Sequence, residues 1–353
     1  MPASARRGIS GRWSARSSRL RAAVVMGAAM ALAVSMSTTA IGTATASPVK
    51  TESSQATKKF TIAFVPGETT DAFFISMHQG VYNEAKKLGM GVIYQGASTY
   101  SPEAQIPVVQ AVLAKHPSGL LIASTDVKAL NAPIAAYKAK GIPVITLDST
   151  ISNSGLLAGR ITSDNTQGGA AAADAIAKLA HDRGQVAVIS QIPGISTTDA
   201  RAAGFEKELK KYPGMKFLGI QYDNGNISTA ASEASSLMLA HPGLVGIFGA
   251  NDYAAEGAGD AVKSAGKSGK VFIAGYDAEP KEVQYVKNGT IDILVVQRPK
   301  EEGVLGVQYM YDILTGHADK VPKLTQLTNV IATKANINSP QVTQWLYQPT
   351  FHP

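Results

Sequence analysis

Past residue 59, apolar segments suited to buried strands alternate with amphipathic segments suited to helices. The nine strand candidates, in chain order, are "FTIAFV", "GVIYQ", "GLLIAS", "PVITLD", "QVAVIS", "KFLGIQY", "LVGIFGA", "VFIAGYD" and "IDILVVQ". Helical patterns such as "EAQIPVVQAVLAKHP" and "STAASEASSLMLAHP" lie between most of them. This alternation requires right-handed βαβ units and parallel sheets that are buried on both faces. The pattern predicts an α/β protein with two doubly wound parallel-sheet domains.

Residues 1–46 are predicted to be a secretory signal peptide. They contain six arginines and no acidic residue, then the apolar run "AAVVMGAAMALAVSM" and a small-residue cleavage site at "ATA". The apolar run is shorter than the roughly 20 residues that a membrane-spanning helix needs. Because Arg6 and Arg7 are adjacent, the sequence is compatible with export by the twin-arginine route as well as by the general secretion route. Residues 47–59, "SPVKTESSQATKK", read as a polar linker.

The formal net charge of +7 comes from this leader. Without its six arginines, 33 − 6 = 27 basic residues face 26 acidic ones, so the rest of the chain has no basic excess for nucleic acid. The absence of cysteine excludes disulfides, thiolate metal sites, thiol nucleophiles and a lipidated cysteine. We therefore expect an exported, soluble protein, periplasmic or extracellular, without a lipid anchor.

The residues that follow the predicted strands are the candidates for ligand contact, because open α/β sheets bind ligands at the carboxyl ends of their strands. They are Asp71, Phe73, Phe74, Asp148, Arg201, Asn251, Asp277 and Gln297. Carboxylates, a guanidinium and amides can pair with adjacent hydroxyl groups, and aromatic faces can cover C–H groups. This combination favours a sugar or a polyol.

Several of these positions have a second interpretation. Asp126 and Asp252 are predicted to be helix N-caps rather than ligand contacts. Arg201 is either a ligand contact or a solvated surface charge. Phe73 and Phe74 are adjacent near a helix start, so one of them is expected to face away from the core, and Phe74 is as suited to the core as to a stacking platform.

From about residue 58 to 335, the chain resembles the type I periplasmic sugar-binding proteins, most closely the ribose-binding group of ABC import systems. The segments that carry the resemblance are "TIAFV…DAFFISM", "GIPVITLDS", "SDNTQGG", "TTDARAAGFEKEL", "AHPGLVGIFGANDYAAEGA", "VFIAGYDAEP" and "VVQRP". The resemblance places all eight candidate residues on sugar-contacting positions. It implies a sugar or polyol captured between two lobes and delivered to an ABC permease.

The resemblance also implies a clamshell with a three-strand hinge. The crossings fall near Ser163-Asp164, Gln297-Arg298 and Leu327-Thr328. The N-terminal lobe is then residues 60–163 plus 298–327, the C-terminal lobe is residues 164–297 plus 328–336, and residues 337–353 form a C-terminal tail.

Two departures from the ribose-binding pattern bear on the ligand. Those proteins carry an arginine directly after the strand-end aspartate, where this chain has Ser149, and an aromatic residue that covers the sugar from the second domain, where this chain reads "DNGN" around Gly225. Glu68, Asn224 and Asn226 are expected to supply compensating polar groups. A pentose, a related aldose and an acyclic sugar alcohol all stay open.

Other functions fit the sequence less well. A transcription regulator of the lactose-repressor group needs an N-terminal helix-turn-helix, and that region here has the features of a signal peptide. The sequence contains no P-loop, H-E-x-x-H or G-x-S-x-G motif, although Asp71 and Asp148 could in principle hydrolyse a glycoside. A sensor that presents its sugar to a membrane receptor stays open. We expect a monomer that is not an enzyme and that needs no cofactor or metal.

Overall fold

Two six-stranded sheets organise residues 60–352, the part of the chain that the computed structural model describes. The first sheet contains β1 (Thr61–Val65), β2 (Gly91–Tyr94), β3 (Gly119–Ile122), β4 (Val144–Leu147), β5 (Gly159–Ser163) and β11 (Thr325–Leu327). Its strands lie in the order β11-β5-β4-β3-β1-β2, and every pair is parallel. The predicted signal peptide and linker lie outside the described residues.

The second sheet repeats this winding. It contains β6 (Arg183–Ser190), β7 (Gly214–Tyr222), β8 (Leu244–Gly249), β9 (Phe272–Tyr276), β10 (Ile293–Val296) and β12 (Val330–Thr333). The order is β12-β10-β9-β8-β6-β7, and all pairs are parallel except β10 with β12, which is antiparallel. The fold class is confirmed, with the correction that this sheet is mixed.

The helices follow the strands as the alternating pattern predicts. They are α1 (Ala72–Lys87), α2 (Pro102–Leu113), α3 (Asn131–Ala139), α4 (Asn165–Leu179), α5 (Ser196–Leu209), α6 (Ile227–Ala240), α7 (Asp252–Ser264), α8 (Pro280–Asn288), α9 (Pro299–Leu314) and α10 (Pro340–Thr343). Sequence signals fix several ends: Pro280 starts α8 within a capping box of Glu279 and Glu282, and Gly289 ends it with a left-handed φ of 79°.

The buried strands explain why both faces of each sheet are covered. Residues 62–65 of β1 and 120–122 of β3 have no exposed surface, as a parallel sheet packed between helices requires. All nine predicted strands are present. The list of nine omits β5, β11 and β12. The last two have only three and four residues, which are too few to show a strand period.

The chain passes between the two sheets three times: after β5, after β10 and between β11 and β12. Hydrogen bonds tie the crossings together, with the Asp164 amide donating to the Leu327 carbonyl at 2.8 Å and Asn329 Nδ2 donating to the Asp164 carbonyl at 2.9 Å. In each sheet the second strand in the chain (β2 or β7) lies on one side of the first strand (β1 or β6), and the next three strands follow on its other side. This winding puts a switch point at the carboxyl ends, where such folds bind ligands.

Candidate functional site

One cavity lies where the carboxyl ends of the two sheets face each other. Its lining combines acidic, amide, hydroxyl and aromatic side chains with a single arginine. The lining residues are Glu68, Asp71, Phe73, Phe74, Tyr100, Asp148, Gln191, Ile195, Thr197, Thr198, Arg201, Asn251, Asp252, Tyr253, Asp277 and Gln297. All eight residues selected from the sequence are among them, and their role in binding stays a prediction.

The two phenylalanines enter from the start of α1. Asp71 caps this helix, accepting from the Phe73 amide at 2.7 Å. The rings of Phe73 and Phe74 meet edge to face with centroids 5.0 Å apart, and Phe74 stacks on Tyr100 at 6.3 Å. The expectation that one ring faces away from the core is wrong, because both are buried (5% and 3% exposed) and both line the cavity. Both rings therefore belong to the hydrophobic core and to the cavity wall at the same time.

Asp148 and Asp277 occupy strained backbone at the ends of β4 and β9. Their φ angles are 59° and 103°, in the region that favours glycine. Such conformations cost on the order of 1–3 kcal/mol and concentrate at functional sites. Both residues line the cavity, so the positive φ angles occur where the two strands meet the candidate site.

Arg201 is a buried cleft residue and not a surface charge. On α5 it is 3% exposed, with Nε donating to Asn165 Oδ1 and Nη1 to the Ala250 carbonyl, both at 2.8 Å. Its guanidinium carbon lies 3.7 Å from the ring centroid of Tyr276. Nη1 is also 3.7 Å from Asp277 Oδ2. The second-sheet side therefore holds one fixed positive charge beside a carboxylate.

Asn251, not Asp252, is the N-cap of α7. Asn251 Oδ1 accepts from the Ala254 amide at 3.3 Å, which leaves its Nδ2 free of capping. The prediction that Asp252 is the cap is wrong, since Asp252 is the first helical residue and lines the cavity. Asp126 Oδ1 accepts from two amides before α3, but the N-cap position there is Leu130, so that prediction is wrong too.

Tyr100 stands beside the residue that replaces an arginine of the ribose-binding pattern. Ser149 is fully buried, and the Tyr100 hydroxyl lies 3.4 Å from its Oγ. From the second sheet, Tyr253 reaches across the cleft and donates to Glu68 Oε1 at 3.2 Å. Tyr100 and Tyr253 therefore place aromatic rings in the cavity lining, although the sequence lacks the covering aromatic residue that the ribose-binding pattern has near Gly225.

The expected compensation by Asn224 and Asn226 is wrong. Neither lines the cavity: Asn226 caps α6 by accepting from the Thr229 amide, and Asn224 sits in a turn with φ of 56°. Gln191 lines the cavity instead, while Glu68 does so as expected. The sequence analysis missed Tyr100, Gln191, Thr197, Thr198 and Tyr253. Gln191 directly follows β6, and the other four lie several residues past the end of a strand. Extending the search from each strand end through the first turn of the following helix would have found them.

Three buried polar atoms of the lining have no hydrogen-bond partner among residues 60–352. They are Asp148 Oδ1, Gln297 Oε1 and Thr198 Oγ1, on side chains that are 7%, 2% and 2% exposed. Gln297 uses its Nε2 to donate to Asp277 Oδ1, so its oxygen is left over. Unpaired buried polar groups are costly, and here they converge on one cavity.

Burial shapes the charge of the cleft. Desolvation raises the pKa of Asp148 to about 7, against the opposing effect of nearby Arg201. Burial first, then the charges of Asp252 and Glu279, raise the pKa of Asp71 well above its ordinary value. Crowded carboxyl groups therefore hold protons near neutral pH and can donate as well as accept hydrogen bonds.

The described residues offer no cluster of three or more acidic or histidine side chains suited to a metal ion. Between residues 60 and 352, no helix is long and apolar enough to cross a membrane. The arrangement can pair many hydroxyl groups and cover an apolar face.

Comparison with known proteins identifies the family. A model described as a periplasmic binding protein domain matches residues 62–318. The ribose import binding protein of Salmonella typhimurium is 33% identical over 267 residues, which is 75% of this chain and 88% of that protein. The protein of the same name from Bacillus subtilis is 30% identical over 266 residues, covering 75% of this chain and 85% of that protein.

A solved structure shows the same architecture. The solute-binding protein of an ABC transporter from Agrobacterium vitis, solved with α-D-tagatopyranose, is 37% identical with a TM-score of 0.79. The match covers 82% of this chain and all of that one. These relatives are named as binding proteins of import systems, which agrees with the expectation of a binding protein and not an enzyme. The chain belongs to the periplasmic binding protein domain family.

Proposed function

We propose that this protein captures a monosaccharide or sugar alcohol between two lobes and delivers it to an ABC permease. The lobes are residues 60–163 plus 298–327 and residues 164–297 plus 328–336. The contacts come from the eight residues Asp71, Phe73, Phe74, Asp148, Arg201, Asn251, Asp277 and Gln297. The ligand is neutral and pentose-like in size.

The observation that carries this proposal is the set of unpartnered buried oxygens in the cleft. Asp148 Oδ1 and Gln297 Oε1 can only accept while Asp148 is ionised, and Thr198 Oγ1 can do both. A sugar brings several hydroxyl groups that donate to such atoms, and the rings of Phe73 and Phe74 cover its C–H face. Arg201 supplies a fixed donor on the opposite side.

The relatives support the sugar class without fixing the sugar. Two are named for ribose import, and solved relatives were bound to tagatopyranose and to D-arabinose. Ser149 removes the arginine of the ribose-binding pattern, and Tyr100 lies against that position. This replacement favours a pentose, aldose or sugar alcohol other than ribose.

Contacts across the cleft provide the signal that a permease would read. Glu279 Oε1 accepts from the Phe73 amide at 3.1 Å, and the Thr150 amide donates to Ser196 Oγ at 3.0 Å. A ligand that touches both lobes favours this closed arrangement over an open one, because it gains its full contacts only there. The same closed form would serve a membrane receptor, which is the alternative partner.

The family of this chain supports an exported protein. We propose the monomeric state and the lack of a lipid anchor in addition. The protein is exported, acts outside the cytoplasm as a monomer without a lipid anchor, and needs no cofactor. The exported form is expected to begin near Ser47, and mass spectrometry of the secreted protein checks this.

A thermal-shift panel of pentoses, hexoses and sugar alcohols tests the function. The matching ligand should raise the melting temperature of the wild-type protein by several degrees at saturating concentration, because it binds only the folded state. Amino acids and short peptides serve as the control panel. Stabilisation by a member of the control panel and by no sugar or polyol would contradict the proposal.

A further inference from the structure

The C-terminal strap, which we define as residues 344–352, touches both sides of the cleft. It follows β12 and α10, which belong to the second sheet side. It ends with Phe351 packed against His78 and Tyr82 of α1, at ring centroid distances of 5.3 and 5.7 Å. The strap is thus a connection between the lobes in addition to the three hinge crossings.

Tyr347 is the point at which the strap meets the cleft. It is 4% exposed, and its amide donates to the Ala278 carbonyl at 3.2 Å. Its hydroxyl donates to Asp277 Oδ1 at 3.0 Å, and its ring lies 5.6 Å from the Phe73 ring at an angle of 67°. One side chain therefore contacts a cleft carboxylate of one lobe and a cleft phenylalanine of the other.

The hydrogen bond decides which oxygen of Asp277 is available. Oδ1 accepts from both Tyr347 and Gln297, so its capacity is used. Oδ2 lies 3.7 Å from Arg201 Nη1 and accepts no hydrogen bond from either of those two side chains, and Asp277 lines the cavity. Asp277 has a φ of 103°, a conformation that needs support from its surroundings. Tyr347 supplies part of that support.

Burial, followed by the charge of Asp277, raises the pKa of Tyr347 well above its ordinary value. The phenol therefore keeps its proton and acts as the donor. A second anchor lies one residue on, where the Gln348 amide donates to Ser76 Oγ at 2.8 Å. Ser76 belongs to α1, the helix whose first turn carries Phe73 and Phe74.

We propose that Tyr347 is a positioning residue of the binding cleft, through which the C-terminal strap fixes Asp277 against Phe73 and so sets affinity and selectivity among sugar epimers. The inference rests on the proposed function. Tyr347 does not itself line the cavity, so it acts through the two residues that do.

Tyr347→Phe tests the hydrogen bond while keeping the ring against Phe73. We expect the dissociation constant of the best sugar from the thermal-shift panel to rise about tenfold by calorimetry, which corresponds to about 1.4 kcal/mol. The ranking of its epimers should change, because Asp277 would no longer be held with one oxygen toward the ligand. Tyr347→Ala should weaken binding further by also removing the ring.

Tyr212→Phe is the matched control. Its hydroxyl donates to Asp174 Oδ1 at 2.7 Å, away from the cleft, so the same atom is removed from a similar bond. Affinity and epimer ranking should stay as in the wild type. Unchanged affinity and ranking in Tyr347→Phe would overturn the inference and leave the proposed function intact.

A double-mutant cycle without ligand separates the two proposals. Tyr347→Phe should lower the melting temperature of the wild-type background and have little effect in an Asp277→Ala background, because the partner is gone. Equal effects in both backgrounds would show that Tyr347 does not hold Asp277. If no sugar or polyol stabilised the wild type, the proposed function and the selectivity role would both fail, and the cycle would still decide the positioning contact.

Discussion

Part of the polar surface of Arg201 is committed to protein partners before any ligand arrives. Two of its nitrogen atoms donate to Asn165 and Ala250, and its plane covers the Tyr276 ring. Asp148 is the opposite case: Oδ1 has no partner in residues 60–352, and burial raises its pKa. Two charged residues that line the same cavity therefore differ in how far the ligand-free fold depends on them.

Substitutions at the two positions should separate stability from binding. Arg201→Ala should remove detectable sugar binding and lower the free energy of unfolding by about 3 kcal/mol, since it leaves buried partners unpaired. Asp148→Asn should weaken binding about tenfold or more but change the stability of the ligand-free protein by less than about 1 kcal/mol, because asparagine tolerates the φ of 59°. Calorimetry and urea unfolding without ligand measure the two quantities. If the two variants had equal free energies of unfolding, Arg201 would contribute to ligand binding only and not to the stability of the fold.

Close packing of α4 against α5 places Arg201, and two glycines permit it. A Cβ on Gly169 would overlap the Arg201 carbonyl oxygen, and one on Gly204 would overlap the Thr166 carbonyl oxygen. The segment "GGAAAADAIAKLA" therefore has a structural reason for its small residues. Asn165 lies at the start of α4, and its Oδ1 accepts a hydrogen bond from Arg201 Nε. This hydrogen bond depends on the same close spacing of the two helices.

Gly169→Ala and Gly204→Ala should each push the two helices apart. Overpacking of this kind typically costs about 1–3 kcal/mol, and the displaced guanidinium should also weaken sugar binding severalfold. Gly155→Ala is the control, because the nearest atom to its added Cβ is the end of a flexible Asn153 side chain at 3.2 Å. Melting curves and calorimetry on the three variants check this. Wild-type affinity in both helix variants would show that Arg201 does not need this spacing.

The molecule brings carboxyl groups of both lobes together when the cleft is closed. Asp71 and Glu279 lie on opposite sides and both accept from the Phe73 amide, at 2.7 and 3.1 Å. Burial is the main cause that raises the pKa of Glu279 to about 7, and it is also the main cause that raises the pKa of Asp71 well above its ordinary value. The folded protein therefore binds more protons between about pH 4.5 and 7 than the unfolded chain does.

Stability should fall as the pH rises through this window. Raised carboxyl pKa values favour the folded state at low pH and lose that contribution once the folded groups ionise. We expect the melting temperature without ligand to drop by about 3 °C or more between pH 5 and pH 8. Glu279→Gln should reduce this slope, and Glu233→Gln, which removes a partly exposed carboxylate on α6 outside the cavity lining, should not. A melting temperature that rose from pH 5 to pH 8 would contradict this model of the cleft.

The sequence alone was sufficient for the fold class and for the eight candidate residues. Strand and helix periods are local, and parallel sheets oblige the residues after each strand to meet at one edge. Asp148, Asp277 and Phe73 could be selected for this reason without knowing any contact. The short strands β11 and β12 show the limit of local pattern, since their pairing comes from neighbours distant in sequence.

Only the tertiary structure decided what those residues face. Whether Arg201 is buried depends on how closely α5 approaches α4, and the acidity of Asp148 depends on how much water the two lobes exclude. Tyr347 lies 70 residues from Asp277 along the chain, and no pattern in "QWLYQPTF" indicates that the segment crosses the cleft. Burial, charge and long-range hydrogen bonds arise from chain segments brought together in space, so they are absent from any local reading of the sequence.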